Sequence, residues 1–141
     1  MLLASHIAGV GFSHTGLGLV HGIGHALGGG FNIPHGNALC IVLEEVLRYN
    51  LPIRTERIAD IAFALGVGVT SMDSAENAEL AIAAIAGMVD SVGLRATLSD
   101  YSITEADFDS LAETTLADAV TINNPQKPSH QDVVSILKKV I

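Results

Sequence analysis

Residues 20–38 read VHGIGHALGGGFNIPHGNA, and the way this stretch folds decides how the rest of the chain is understood. His21 and His25 are four apart, which on an α-helix places them on one face, about 40° from each other. Gly28-Gly29-Gly30 follows and is expected to end that helix. A turn there lets the next helix fold back, bringing His35 against His21. The stretch is then a helical hairpin presenting three imidazoles with no ionic partner. Residues 1–43 contain no Asp, Glu, Lys or Arg; all fifteen acids lie from Glu44 onward.

The chain has 141 residues, of which 49% are hydrophobic and 16% charged. That length suits one domain with a sizeable core, and the composition is not that of a disordered chain. A net charge of −8 with only seven Lys and Arg argues against nucleic acid as a partner, because phosphate contacts need clustered cations. A membrane span is the rival reading of the uncharged N-terminal third. Ten glycines and five histidines interrupt that third, and no basic residue flanks its N-terminal side, so no membrane association is expected. No signal peptide is visible, and the single Cys40 excludes an internal disulfide. Both features fit a cytoplasmic protein.

The hydrophobic period is helical nearly throughout, which predicts an all-α bundle of about seven helices in a single domain over residues 1–141. Helices are expected at 2–12, 15–27, 35–50, 54–65, 74–92, 104–119 and 129–139. Asn32 is read as the N-cap of the third, with Pro34 in its first turn. Pro52 is expected to stop that helix, Gly66 to close the fourth, and Gly93 the fifth. Thr104-Glu105-Ala106-Asp107 resembles a capping box, and Ser129 caps the last helix, whose Lys138 and Lys139 suit its C-terminal dipole. Interior glycines such as Gly18, Gly22 and Gly24 each cost up to about 1 kcal/mol of helix propensity. Their use implies close approach of a neighbouring backbone or a ligand.

A lone histidine is usually a core or surface residue satisfied by a carbonyl. Three in one uncharged, glycine-rich hairpin point instead to metal binding or catalysis. The His-Glu-x-x-His arrangement of zinc proteases is excluded, since Gly22 follows His21. His6, His14 and His130 lack such company and are given no role.

The segment 16–38, from Gly16 through His21, His25, Gly28-Gly29-Gly30 and His35 to Ala38, resembles the signature of the iron-containing (group III) alcohol dehydrogenases. The similarity continues through Leu47-Arg48-Tyr49-Asn50. It reaches the tail at Asn124-Pro125-Gln126-Lys127-Pro128-Ser129, Asp132-Val133-Val134 and Ile136-Leu137. The resemblance implies the C-terminal helical, metal-binding domain of that family, in the dehydroquinate synthase-like fold. It implies a divalent iron, or zinc, held by one Asp and three His, two of which match His21 and His35. It also implies that His25 lies beside the substrate and the nicotinamide, as the catalytic residue. Cys40 is read as a buried packing thiol.

The same resemblance places the remaining ligands, an Asp and a His four residues later, on a helix upstream of Met1. The resemblance likewise places the family's N-terminal α/β domain, which binds NAD or NADP, upstream of Met1, so no cofactor-binding residue is expected in this chain. Gly28-Gly29-Gly30 is not that domain's phosphate loop, because Phe31-Asn32 follows it and it ends a helix. Val120 stands where relatives often have a cysteine lining the substrate pocket, and Gln126 where Arg is common.

Two functions follow from different classes. One is the substrate-side, metal-binding domain of an NAD(P)-dependent iron-type alcohol dehydrogenase, acting on a small alcohol or aldehyde and inactive as an isolated chain. The other is a non-catalytic, truncated helical module that self-associates or complements a missing partner half. Either way the uncharged N-terminal third is expected to be covered, in a homo-oligomer or by the missing half. The site is expected to be dry and free of other charge.

Overall fold

The computed structural model describes residues 1–141, and in it the helical period becomes six α-helices with no strand. They are α1 Leu2–Thr15, α2 Leu19–Phe31, α3 His35–Ala64, α4 Ser74–Ser91, α5 Phe108–Ala117 and α6 His130–Lys139, with short 3-10 turns at Ser99–Tyr101, Glu105–Asp107 and Ala119–Asn123. No helix is long and apolar enough to cross a membrane.

The count falls one short of seven because Pro52 does not end α3. The proline removes one backbone donor, and the chain answers with a kink rather than a stop. Only Arg54 leaves helical geometry (φ −135°, ψ 24°), and the Thr55 hydroxyl donates to the Leu51 carbonyl at 2.7 Å. The kink divides the hydrophobic interior. Before it, Ala38, Ile41, Val42 and Val46 join α2, α5 and α6 in an 18-residue core around Leu19, Ile23, Leu27, Phe108 and Leu137. After it, Ile58, Ala59 and Ala62 pack on Ala78, Ala81 and Ile82 of α4 as a smaller second cluster.

A second correction concerns the glycine triplet. Gly28-Gly29-Gly30 lies inside α2, which runs on to Phe31. The helix stops at Asn32, whose backbone is left-handed (φ 54°) and whose N–H donates to the Gly28 carbonyl. Asn32 therefore closes α2 and does not cap α3, for which Pro34 stands at the N-cap without a side-chain bond. Asparagine tolerates this conformation through its short polar side chain.

Local end signals elsewhere act as the sequence implies. Gly66 and Gly93 take positive φ of 75° and 70° just past α3 and α4. The Thr104 N–H donates to the Asp107 carboxylate at 2.9 Å, although the helix opens with a 3-10 turn. Ser129 and Asp132 form a reciprocal cap on α6, and these bonds hold the Asp132 carboxyl below the usual carboxylate range.

α1 is a different case. None of its residues is buried, and Leu2 (91% exposed), Leu3, Ile7 and Val10 face solvent with no charged side chain among them.

Candidate metal centre

α2 carries His21 and His25, and α3 begins at His35. The three-residue link Asn32-Ile33-Pro34, with Ile33 buried in the core, folds α3 back along α2. Close packing makes that approach possible. A Cβ on Gly24 would lie 2.5 Å from Leu39 Cδ2, and one on Gly22 would collide with the Thr121 hydroxyl. Sequence reasoning expected both glycines to mark close approach of a backbone or a ligand; the close neighbours are instead the side chains of Leu39 and Thr121.

The hairpin brings the three imidazoles together. Ring centres lie 5.6 Å apart for His21–His35, 5.6 Å for His25–His35 and 5.9 Å for His21–His25. Phe12, at the end of α1, sits 6.4 Å from His21. Burial holds the His21 imidazole below the usual histidine range, and the His35 and His25 rings beside it act in the same direction. A ring kept neutral is the form that coordinates a metal.

Two imidazoles on one divalent ion, with bonds of about 2.0–2.1 Å, have their ring centres roughly 5–6 Å apart. All three separations in the cluster lie in that range, so the spacing fits His21 and His35 without setting that pair apart from His25. The fit is partial, since no group of three or more His, Cys, Asp or Glu side chains in this chain is arranged to hold an ion. The pair offers part of a ligand set. His6 and His14 lie on the exposed α1, and His130 faces Asp109 across 3.6 Å at the start of α6. None of the three joins the cluster.

Two expectations about the surroundings are corrected. The site is neither sealed nor free of other charge. Asp118, 93 residues along the chain, accepts from His25 Nδ1 at 2.7 Å, and the His25 side chain is 39% exposed. Asp118 is not legible as a partner from the histidine stretch because 93 positions separate it from His25, although it lies only two residues before Val120, a position the family pattern singles out. Cys40 is half-buried rather than sealed in the core. A cleft of about 330 Å³ opens beside His25, floored by Gly29 and Gly30 and walled by Asp107, Ser110 and Thr114.

A second missed group holds the site's scaffold. Gly18, the N-cap of α2, has no side chain to offer. Asn124 supplies the cap from a distance, its Oδ1 accepting from the Leu19 N–H at 3.2 Å. The same oxygen accepts from Asn50 Nδ2 at 3.2 Å, while Asn124 Nδ2 donates to Asn50 Oδ1 at 2.9 Å and to the Gln126 carbonyl at 2.7 Å. Asn50 ends the Leu-Arg-Tyr-Asn motif and Asn124 begins the Asn-Pro tail. Two stretches singled out only for their resemblance thus meet in one buried amide clamp at the start of the histidine helix.

Comparison with known proteins identifies the family of the chain. The family model described as Fe-containing alcohol dehydrogenase family, C-terminal, matches residues 1–141. The 1,3-propanediol dehydrogenase of Klebsiella pneumoniae is 39% identical over 139 residues, covering 99% of this chain and 36% of the relative. The lactaldehyde reductase of Escherichia coli is 39% identical over 136 residues, covering 96% and 36%. The NAD-dependent methanol dehydrogenase of Bacillus methanolicus is 35% identical, covering 100% and 37%. The chain thus spans about a third of the length of these curated relatives. Among solved structures, a 1,3-propanediol oxidoreductase superposes with a TM-score of 0.86 at 38% identity, over 89% of this chain and 33% of that one. An alcohol dehydrogenase from Oenococcus oeni gives 0.84 at 33% identity, over the same shares.

Proposed function

The chain belongs to the Fe-containing alcohol dehydrogenase family, as its C-terminal part, and from that premise we propose that it is the metal-binding, substrate-side domain of an NAD(P)-dependent oxidoreductase interconverting small alcohols and aldehydes. The observation that carries this reading is the convergence of His21 and His35, 5.6 Å apart, with His25 beside both. His21 and His35 would hold a divalent iron or zinc ion. Bound there, the ion acts as a Lewis acid that favours the alkoxide form of an alcohol. His25, a third ring on the same surface, would orient the hydroxyl and accept or return its proton. The glycines that pack α2 against α3 and the turn at Ala119–Asn123 keep the rings in register. Small alcohols and aldehydes are the substrate class, in keeping with relatives that bear the names 1,3-propanediol dehydrogenase, lactaldehyde reductase and NAD-dependent methanol dehydrogenase.

Two imidazoles are too few for a firm iron site, and α1 leaves an uncharged apolar surface open. Both features support a domain that works together with a further polypeptide segment. That segment would supply the remaining ligands and the nicotinamide cofactor, while α1 is covered by it or by a second copy. With Fe(II), NAD⁺ and 1,3-propanediol, the isolated 141-residue chain is expected to form NADH no faster than its H21A/H35A double variant. Light scattering of the same sample is expected to show self-association. Turnover that the double variant abolishes would show the chain to be sufficient and overturn this part of the proposal; a monodisperse monomer would remove the need for cover over α1.

A further inference from the structure

His25 and Asp118 are joined by the shortest contact in the histidine cluster, 2.7 Å between Nδ1 and Oδ2. Asp118 is placed for it by its own turn. It is the N-cap of the 3-10 segment Ala119–Asn123, and Oδ1 accepts from the Val120 N–H at 3.0 Å. One oxygen suffices for that cap. The other is left over, held in a fixed direction, and meets the imidazole.

We propose that Asp118 is a positioning residue for His25, holding the neutral ring as the tautomer protonated at Nδ1, so that Nε2 presents the free lone pair away from the carboxylate. A carboxylate can only accept, so a neutral ring in contact with it must carry its hydrogen on Nδ1. The Val120 N–H, and His25 itself, hold the Asp118 carboxyl below the usual carboxylate range, which keeps it the acceptor. An imidazole so held can take a proton at one nitrogen only. When an alcohol's O–H bond breaks, the N–H bond forms at Nε2; in aldehyde reduction the same proton returns to oxygen. Throughout, Nδ1–H stays hydrogen-bonded to Asp118, which keeps the ring from turning. A second-sphere carboxylate has this effect on the histidine of a catalytic triad and on metal-bound histidines. The functional half of this inference rests on His25 being the residue beside substrate; the tautomer itself does not.

The test is nitrogen-15 NMR of the histidine rings in the 141-residue chain, at about pH 8 so that free imidazoles are neutral. The spectrum is expected to show His25 with Nδ1 protonated and Nε2 bare. In D118A the Nδ1-protonated fraction should fall severalfold. In D118N, whose amide oxygen can still accept, it should be largely retained, and circular dichroism confirms that both variants fold. Should D118A not fold, D118N and the wild-type spectrum still decide the matter, since a wild-type His25 protonated at Nε2 overturns the proposal. So does a tautomer unchanged in folded D118A. Because no metal or substrate is added, failure here leaves the roles of His21 and His35 untouched, and their failure leaves the tautomer standing.

Discussion

Asn124→Ala is expected to destabilise the chain by about 2–4 kcal/mol, a large share of a domain's net stability. The side chain uses both ends. Its oxygen serves the Leu19 N–H and the Asn50 amide, and its nitrogen serves Asn50 and the Gln126 carbonyl. Asn124 and Asn50 are both buried, so truncation strands a helix-terminal donor and half of an amide pair away from water. Removing one partner costs the desolvation of those left behind, which exceeds the net worth of each bond. Thermal unfolding should shift downward by roughly 8–15 °C. Asn123→Ala, at an exposed neighbouring position, should stay within about 0.5 kcal/mol. Equal effects at the two positions would mean the clamp contributes nothing particular. A selective loss at Asn124 would also loosen the first turn of α2, where His21 sits.

Gly22→Ala carries the second large effect, and its sign is decided by two opposed terms. Within a helix, alanine is favoured over glycine by up to about 1 kcal/mol. Against this, the new methyl would collide with the Thr121 hydroxyl and touch Thr115 Cγ2 at 3.5 Å. Thr121 cannot swing away freely, because it is buried and donates to the Thr115 carbonyl at 2.8 Å. Overpacking costs about 1–3 kcal/mol, and the strained hydrogen bond adds about 1 kcal/mol. The net expectation is a loss of about 1–3 kcal/mol, read by chemical denaturation. Gly29→Ala makes the contrast, since its methyl would meet nothing within 4 Å; it should be neutral or stabilising by up to about 1 kcal/mol. The same sign at both positions would refute the idea that Gly22 is kept small for contact with the turn at Ala119–Asn123. Because Asp118 caps that turn, G22A should also disturb the His25 pair.

These two variants mark the boundary of what the sequence reveals. Features set within a few residues are legible. The period of apolar side chains gives helices, Gly66 and Gly93 supply the backbone conformations that close two of them, and Ser129 with Asp132 announces α6. The His21–His35 approach is legible too, since it needs only a helix, a tight turn and a second helix. Pro52 and the glycine triplet misled for a single reason. Each weakens a helix by local propensity, yet tertiary packing carries α3 past Pro52 onto both cores, and α2 runs on through the triplet until the left-handed Asn32, two residues past Gly30, closes it. The Asn50–Asn124 clamp and the His25–Asp118 contact join residues 74 and 93 positions apart, and no local pattern encodes such pairs. Asn50, Asn124 and His25 stand in recognisable motifs, but only the fold shows why an asparagine or an aspartate is needed opposite them.

The central claim is that His21 and His35 are paired donors for one divalent ion while His25 serves a different purpose. Titration of the chain with cobalt(II), followed by visible absorption, tests it most directly. Weak binding in a single class of site is expected. H21A and H35A should each weaken it by at least roughly tenfold, and H25A should leave it nearly unchanged. Binding that survives H21A and H35A, or that H25A alone abolishes, would contradict the account.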